Sequence, residues 1–436
     1  MIDPLTAVRL DGWTDPERVF LGGPARHPHA FWLDAGPFAR AGWSVLGIGE
    51  PEPLPGLVRA VVCRGAVDPS WPAGPFRGGW VGWLGYEDAA ARAGAPVAPD
   101  DGHVPQAMWL RVDRFVAFDH AAGCIWAVAP ASDALRFASE VTSWRDALPD
   151  AAASAAVGAQ AVARNSPSEY AALIERCRDA IREGDAYQLC LTTRFGVAGA
   201  VDPVATYRRL RAATPTHHGG LLRTGAVALA SASPERFLDV ADGIVRTRPI
   251  KGTRPRGRDP EEDAVLAAEL LASEKERAEN VMIVDLMRND LSRVCEPGSV
   301  AAERLLEVES YPAVHQLVST VAGRLVPGTT VGDLLDAAFP AGSMTGAPKL
   351  SAMTILHELE GMARGVFSGC FGWVGDDGAL DLAMVIRSVV THPGGAYVGA
   401  GGGITWRSDA AAEVAEVGVK ARGPLAALGA ELPPGW

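Results

Sequence analysis

Residues 166–195 read SPSEYAALIERCRDAIREGDAYQLCLTTRF, a helical pattern followed by a strand pattern. Ser166-Pro167-Ser168-Glu169 is a capping box with proline at the first helical position, so a helix is predicted to begin there. Apolar residues at helical spacing run from Tyr170 to Ile181, and Gly184 is a typical helix-ending residue. The first part of the segment therefore predicts one amphipathic helix.

The residues from Tyr187 to Phe195 predict a strand with Tyr187, Leu189 and Leu191 on one face. Further helices are predicted in the C-terminal part: one begins at Asp259-Pro260, one opens at the capping box Ser273-x-x-Glu276 and runs towards Arg293, and the last begins near Ser408 or Asp409 and ends before Gly423-Pro424. Helices mixed with separate runs of strands indicate an α+β protein and not a regular βαβ series.

The N-terminal part differs from the rest in composition. Nine of the twelve tryptophans lie before residue 150, among short apolar runs broken by Gly and Pro, such as residues 80–86. These runs predict a strand-rich lobe. Residues 150–163 are almost entirely Ala, Ser, Val and Gly, which is typical of a connector. We therefore expect an N-terminal lobe over residues 1–150 and a second domain over residues 160–430.

Charge and patterning exclude several classes of protein. The 436 residues include 40 Lys plus Arg and 52 Asp plus Glu, a formal net charge of −12, so no nucleic-acid-binding surface is expected. No secretory signal pattern is visible, and the uncharged stretch 388–406 is interrupted by proline and glycines, so no membrane span is expected. The six cysteines lack a C-x-x-C pair and zinc-like spacing, which fits free thiols in the cytoplasm.

Only four of the 40 basic residues are lysine: Lys251, Lys275, Lys349 and Lys420. A genome-wide preference for arginine explains the scarcity, but not which positions remain lysine. Lys251 stands within RPIKGTRPRG, residues 248–257. Because lysine, unlike arginine, can lose its proton when desolvated, it can act as a nucleophile. The alternative interpretation of this segment is a rigid basic loop.

Acidic residues provide further candidates. Glu235 is a carboxylic acid in an apolar strand and a possible general acid. On the final helix, Glu413, Glu416 and Lys420 project from the same side. They form either a surface for a hard cation beside a lysine for an anion, or an ordinary solvated helix face. The glycine run at 399–403 would let backbone N–H groups approach an anion closely.

A second acidic group lies on the helix that Ser273 opens, and it comprises Glu274, Glu276 and Glu279. Glu279 lies at the border between the polar and apolar faces, where an acid is costly unless a cation or a partner compensates it. Two acid-bearing helices without a His/Cys cluster favour Mg²⁺ over zinc.

Together these elements resemble the chorismate-utilising enzymes, which include anthranilate synthase component I, aminodeoxychorismate synthase component I, and the isochorismate and salicylate synthases. The resemblance covers roughly residues 165–425, with a weaker match at 78–87. Its motifs are GDAYQL at 184–189, SPERF at 233–237, PIKGT at 249–253, RAEN at 277–280, GSMTGAPK at 342–349, IRS at 386–388 and the segment 401–420. It implies a two-lobed α+β fold with a large antiparallel β-sandwich around a buried chorismate site.

Within this family, two positions favour one branch. Water-adding relatives have a lysine base on the strand near 187–191, whereas this chain has Gln188, as the ammonia-using branch does. Anthranilate synthases typically read PIAGT where this chain reads PIKGT. Lys251 is characteristic of aminodeoxychorismate synthase, in which it attacks C2 of chorismate as the C4 hydroxyl leaves, and ammonia then enters at C4. Glu235 matches the general acid for the C4 oxygen. Anthranilate synthase component I and a non-catalytic regulatory paralogue are the alternatives.

The resemblance also implies the remaining site residues. Glu279 and Glu416 would be the Mg²⁺ ligands, with Glu276 and Glu413 acting through water. Substrate contacts would come from Thr345, Arg387, Gly402, Gly403 and Lys420, with Arg387 and Lys420 pairing with the two carboxylates of chorismate.

A partner is implied as well: ammonia would come from a separate glutamine amidotransferase subunit, because no glutaminase nucleophile is recognisable here. One position departs from the anthranilate synthase pattern. There a histidine directly precedes Leu-Val-Ser, whereas here Gln316 does, and His315 is one place earlier. On a strand this step turns the imidazole to the opposite face, so we expect no catalytic role for His315.

Overall fold

The computed structural model describes residues 3–65, 70–147, 159–311 and 314–436. The helices of these residues are α1 (Pro16–Gly22), α2 (Gly56–Ala60), α3 (Tyr86–Arg92), α4 (Ala134–Asp146), α5 (Pro167–Glu183), α6 (Pro203–Ala213), α7 (Pro260–Ala272), α8 (Glu274–Ser292), α9 (Val331–Ala338), α10 (Lys349–Glu360) and α11 (Ala410–Ala427). Short 3₁₀ turns occur at Pro24–Arg26 and Gly342–Met344.

The first of two antiparallel sheets spans the molecule. From edge to edge its strands are β1 (Leu5–Leu10), β8 (Cys124–Pro130), β7 (Phe115–Asp119), β3 (Trp43–Ile48), β2 (His29–Asp34), β12 (His218–Thr224), β13 (Val227–Ser233), β22 (Ser388–His392), β23 (Gly395–Ile404), β11 (Gln188–Ala198) and β10 (Val162–Ala163). The short strand β19 (Gly346–Ala347) pairs with the beginning of β11.

The second sheet is also antiparallel. Its strands are β16 (Ile250–Pro255), β18 (Val314–Arg324), β15 (Ile244–Thr247), β14 (Arg236–Ala241), β21 (Leu380–Met384), β20 (Cys370–Gly375), β5 (Gly79–Leu84), β6 (Ala107–Val112) and β4 (Glu50–Pro51), with β17 (Ala301–Ser310) beside β18. A separate parallel pair joins β9 (Ala159–Gln160) to β24 (Ala430–Glu431).

Strands from both parts of the chain share both sheets. β2 pairs with β12 in the first sheet, and β5 pairs with β20 in the second. Side chains from both sheets, among them Phe31, Trp83 and Phe371, form one buried core. The predicted α+β fold with a large antiparallel sandwich is confirmed. The expected boundary between residues 1–150 and 160–430 falls largely on residues 148–158, which lie outside the described residues, and the segments on either side of it pack together.

The helix predicted at the start of residues 166–195 is confirmed. Ser166 and Glu169 form the reciprocal capping box of α5, and Gly184 ends the helix with a φ of 90°. The strand that follows begins one residue later than predicted, because Tyr187 precedes β11, and the side chain of Tyr187 is exposed whereas those of Leu189 and Leu191 are buried. Gln188 and Leu189 are both fully buried, because β11 is covered on both faces.

Helices α7, α8 and α11 begin at the predicted caps, Asp259, Ser273 and Asp409. The predicted end of the last helix was wrong, because α11 continues through Gly423-Pro424 to Ala427. A proline inside a helix costs one hydrogen bond. Leu425 lies beyond the proline and is fully buried in the core beneath the first sheet, and this burial offsets the cost.

None of the described helices combines the length and apolar character needed to cross a membrane. The two helices that carry the acidic residues, α8 and α11, pack against strands of the two sheets. Helix α11 packs on β23, and α8 packs on β16 and β18. Because β23 pairs with β11, the carboxyl end of β23, the beginning of β11 and the two acidic helices surround one region of the molecule.

Candidate active site

Lys251 lies on β16 and faces the glycine-rich strand β23. A Cβ atom placed on Gly403 would lie 3.4 Å from Lys251 Nζ and 2.8 Å from Gln188 Nε2. Glycine at 403 therefore leaves room for both polar groups. Gln188 is fully buried, and neither its amide nitrogen nor its amide oxygen has a hydrogen-bond partner among the described residues. A buried amide without partners is costly, which is typical of a group that meets a ligand.

Glu235 lies in the connection between β13 and β14, not within a strand as predicted, and it is buried. Burial raises the pKa of its carboxyl from the usual 4.5 to about 7, and the charge of Lys251 and a hydrogen bond from Ser343 act in the opposite direction. Ser343 Oγ donates to Glu235 Oε1 at 3.1 Å. A carboxyl with this pKa can hold a proton at neutral pH and donate it, as the predicted general acid must.

The acidic residues of α8 and α11 meet across the two helices. Glu279 is half-buried, and its Oε1 is a buried atom without a hydrogen-bond partner. Burial raises the pKa of Glu279, while the charges of Lys251 and Lys275 lower it. Glu413 on α11 is buried and accepts a hydrogen bond of 2.8 Å from Ser408 Oγ. Burial also raises the pKa of Glu413.

Lys275 lies between these carboxylates. Its Nζ is 3.9 Å from Glu279 Oε1 and 3.8 Å from Glu413 Oε1, so one ammonium group contacts both helices. Glu276, the other predicted acid of α8, lies beside the PIKGT segment, because a Cβ placed on Gly252 would be 3.0 Å from Glu276 Oε2. The structure therefore brings Glu276, Glu279 and Glu413 to one region, with Lys275 among them.

Lys420 and Glu416 form the i,i+4 pair expected on α11. Lys420 Nζ is 2.7 Å from Glu416 Oε1 and donates to the carbonyl oxygen of Gly401 at 2.8 Å. Burial alone would raise the pKa of Glu416, but the nearby ammonium groups, that of Lys420 foremost, lower it. A Cβ placed on Gly402 would lie 3.1 Å from Glu413 Oε2 and 3.9 Å from Lys420 Nζ. The ammonium and the glycine strand thus lie side by side, and the predicted binding of an anionic ligand there stays a prediction.

Arg387 lines a cavity of about 250 Å³, together with Thr253 and Gln316. Its backbone φ is +52°, in the left-handed region that non-glycine residues seldom adopt, and such strain is common at functional sites. Burial lowers the pKa of the guanidinium, while the charge of Glu416 raises it. Arg387 is therefore a half-buried cation beside a cavity that could receive a carboxylate.

His315 faces away from this cavity. The imidazole is buried, with Nδ1 2.8 Å from Ser310 Oγ and Nε2 2.9 Å from Asp263 Oδ1. Gln316, one residue later on β18, lines the cavity instead. The expectation that the one-residue step turns the histidine to the opposite face is confirmed.

Thr345 is fully buried, and its hydroxyl donates to the carbonyl oxygen of Ala341 at 3.1 Å. Its hydrogen is therefore used within its own loop, and its predicted contact with substrate stays a prediction. A buried arginine, which sequence reasoning missed, holds the same loop. Arg364 donates to the carbonyl oxygens of Met344 at 2.7 Å and Cys190 at 2.9 Å.

Arg364 forms a buried ion pair at 2.7 Å with Glu360, but Gly361 ends α10 between the two residues, so helical spacing gives no signal for this arginine. Lys349 has a comparable structural role. Its Nζ donates to Asp290 Oδ2 at 2.6 Å and ties the beginning of α10 to the end of α8. Ser343, which sets the environment of Glu235, carries no local sequence signal for that contact.

The acidic residues fit Mg²⁺ only as a partial ligand set. Among the described residues, no three of His, Cys, Asp and Glu converge as a group that could hold a metal ion. Mg²⁺ keeps several water ligands and is commonly held by one or two carboxylates plus the substrate. Glu279 Oε1, which has no hydrogen-bond partner among the described residues, and the nearby carboxylate of Glu413 on α11 satisfy that smaller requirement.

Comparison with known proteins shows which family this chain belongs to. A family model described as chorismate binding enzyme matches residues 57–426. An aminodeoxychorismate synthase of Streptomyces pristinaespiralis is 42% identical over 81% of this chain and 51% of its own length. An anthranilate synthase component 1 of Streptomyces coelicolor is 40% identical over 86% of this chain and 77% of its own length. The chain thus spans about half the length of the aminodeoxychorismate synthase.

Solved structures agree. Anthranilate synthase component I from Streptococcus pneumoniae has a TM-score of 0.76 at 29% identity, over 97% of this chain and 92% of its own. The menaquinone-specific isochorismate synthase of Escherichia coli has a TM-score of 0.72 at 16% identity, over 98% of this chain and 95% of its own, which shows a shared fold alone. The family match and these relatives show that the chain belongs to the chorismate binding enzyme family.

Proposed function

We propose that this protein is the synthase component of an aminodeoxychorismate synthase, which converts chorismate and ammonia to 4-amino-4-deoxychorismate. The observation that carries the proposal is the position of Lys251. Its amine faces Gly403 and the unpartnered amide of Gln188, and its charge acts on the buried carboxyl of Glu235. A primary amine beside a protonatable buried acid is the pair that nucleophilic displacement of a hydroxyl requires.

In the proposed reaction the ammonium of Lys251 first gives a proton to Glu235, and the resulting amine forms a bond to C2 of chorismate. The ring double bond shifts, the C4–O bond breaks, and Glu235 gives its proton to the departing oxygen, which leaves as water. Ammonia then bonds to C4, the double bond shifts back, and the C2–N bond to Lys251 breaks. The proton lost by the incoming nitrogen restores Glu235. Chorismate and ammonia thus become the amino product and water.

Other side chains would hold the dianionic substrate. Arg387 and Lys420 supply cations for its two carboxylates, and the N–H groups at Gly402 and Gly403 can approach it closely because no Cβ intervenes. Mg²⁺ would be held by Glu279 and Glu416, with Glu276 and Glu413 acting through water. When bound, the cation would neutralise the ring carboxylate of chorismate.

A separate glutamine amidotransferase subunit would supply the ammonia. The matched aminodeoxychorismate synthase of Streptomyces pristinaespiralis is about twice as long as the region it shares with this chain. In the proposed assembly the amidotransferase is a second polypeptide, and free ammonia at high concentration would replace it in vitro.

One observation favours a second candidate, anthranilate synthase component I. An anthranilate synthase component 1 of Mycobacterium tuberculosis is 35% identical over 98% of this chain and 93% of its own length, so it matches almost end to end. Lys251 argues against this candidate, because release of anthranilate and pyruvate needs no lysine at that position.

Incubation of the pure protein with chorismate, Mg²⁺ and an ammonium salt, with mass analysis of the products, tests the proposal. We expect 4-amino-4-deoxychorismate from the wild type and none from Lys251→Ala or Lys251→Arg, since the latter keeps the charge without a nucleophilic amine. Arg258→Ala, which removes an exposed cation from the loop after β16, is the matched control and should keep full activity. Anthranilate as the main product, or full activity of Lys251→Arg, would refute the proposal.

A further inference from the structure

The position of Lys275 needs an explanation that the proposed reaction does not provide. It is the second residue of α8, directly after Glu274. A cation there opposes the positive end of the helix dipole and does not stabilise the helix. The compensation comes from Glu279 on the same helix and Glu413 on α11, at 3.9 and 3.8 Å from its Nζ.

The chemistry of this contact resembles that of a bound cation. A lysine ammonium is a compact point charge with several donors, whereas the guanidinium of arginine is a planar fork that suits two parallel oxygens. The ammonium of Lys275 joins one carboxylate from each of two helices. Its side chain is 49% exposed, while those of Glu279 and Glu413 are 13% and 6% exposed. The lysine can therefore move into solvent, but the carboxylates are held in place.

We propose that Lys275 is a resident counter-ion of the acidic cluster, which occupies the place of the divalent cation and withdraws into solvent when that cation binds. The inference rests on the metal site proposed above. Glu279 is the expected metal ligand, and its Oε1 has no hydrogen-bond partner within the described part of the chain. It is also one of the two carboxylates near which the ammonium of Lys275 lies. A cation at Glu279 and the ammonium of Lys275 would repel each other at this distance.

Two consequences follow from this arrangement. Without metal, Lys275 reduces the repulsion among the carboxylates and links α8 to α11. With metal, the ammonium must leave, so the affinity of the site for a divalent cation is lower than the carboxylates alone would provide. Lys275 thus stabilises the protein when the metal site is empty and lowers the affinity of that site for the metal.

The affinity of the site for a divalent cation is measured by binding of Mn²⁺ alone, followed by electron paramagnetic resonance of the free ion. Mn²⁺ is suitable because it prefers the same oxygen ligands as Mg²⁺. We expect Lys275→Met to lower the Kd for Mn²⁺ by about three- to tenfold, the range for removing one partly exposed competing charge. Lys275→Arg keeps the charge and should not tighten binding. Arg288→Met is the matched control, because Arg288 lies on the same helix and is also 49% exposed, and its Kd should equal that of the wild type.

Urea unfolding in EDTA and in saturating Mg²⁺ measures how much Lys275 stabilises the folded protein without and with the metal. Lys275→Met should be less stable than the wild type in EDTA, and the difference should shrink or reverse in Mg²⁺, whereas a merely structural lysine would give equal differences. An unchanged or weaker Mn²⁺ affinity in Lys275→Met would overturn the counter-ion role while leaving the metal site standing. Absence of Mn²⁺ binding in the wild type and in every variant would overturn the metal site, and the inference with it.

Discussion

Glu235→Gln should stabilise the folded protein at alkaline pH, although it removes the proposed general acid. The physical reason is the burial of a group that ionises near neutrality. Burial raises the pKa of Glu235 from 4.5 to about 7. Between these two values the unfolded chain has released the proton while the folded protein still holds it, so the stability of the wild type falls as the pH rises through this window. Glutamine has nearly the same shape and carries no charge at any pH.

The expected magnitude follows from the two pKa values. The difference of about 2.5 corresponds to about 3 kcal/mol, because one pKa unit is about 1.4 kcal/mol. By the linkage relation, ionisation of Glu235 lowers the stability of the wild type by less than about 1 kcal/mol at pH 5 and by about 3 kcal/mol at pH 8. The stability difference between Glu235→Gln and the wild type should therefore grow by about 2 to 3 kcal/mol between these two pH values.

Urea unfolding followed by tryptophan fluorescence at pH 5 and pH 8 measures this difference. Comparing two pH values removes every effect of the substitution that does not depend on pH, such as altered packing of the amide. Glu358→Gln on the exposed face of α10 is the control, and its difference from the wild type should not grow, because that side chain meets water in both states. A difference for Glu235→Gln that stays constant from pH 5 to pH 8 would refute the argument that burial perturbs this carboxyl.

Three further predictions concern neighbouring contacts. Ser343→Ala removes a hydrogen bond that favours ionised Glu235, so the pKa of Glu235 should rise. The alkaline limb of the pH profile of kcat should then move to higher pH. An unmoved limb would contradict this role of Ser343. Arg364→Met leaves Glu360 as a buried unpaired charge, and urea unfolding should show a loss of about 3 to 5 kcal/mol, partly recovered by adding Glu360→Met. Glu279→Gln should weaken Mn²⁺ binding at least about tenfold, and equal binding would remove this residue from the metal site.

Local features of the fold were predictable from the sequence because their causes are local. The capping box of α5 and the caps of α8 and α11 depend on side chains within a few residues of the backbone groups that they satisfy. The opposite orientations of the His315 and Gln316 side chains are equally local, since successive residues of a strand point to opposite faces of the sheet. The motif resemblance supplied the rest of the fold, because sheet order depends on contacts between distant parts of the chain.

The wrong end of the last helix has a tertiary cause. Gly423-Pro424 is a typical helix end, yet α11 continues because Leu425 is buried against the first sheet. A local preference was here outweighed by packing that no short window of sequence contains. The strand β11 begins only at Gln188, one residue later than predicted, and the side chain of Tyr187 is exposed.

The candidate site shows the same division between local and distant causes. The identities of Lys251, Glu235 and Glu279 could be proposed from residue type and motif, but their environments could not. The contact of Ser343 with Glu235 joins residues 108 positions apart, and Lys275 reaches Glu413 from a different helix. The pKa of the general acid and the charge balance of the acidic cluster depend on these contacts, so they became visible only in the folded chain.

The four lysines show what a rare residue type does and does not reveal. In a chain that otherwise uses arginine, each ammonium lies where a compact cation fits: Lys349 between Asp290 and a backbone carbonyl, Lys420 against another carbonyl, Lys275 between two helices, and Lys251 beside a glycine strand. A guanidinium is larger and planar, and its fork is better suited to two parallel oxygens than to a single acceptor. Rarity therefore locates positions where the shape of the cation matters. It does not separate catalysis from stability, because Lys349 meets the same requirement at a purely structural contact.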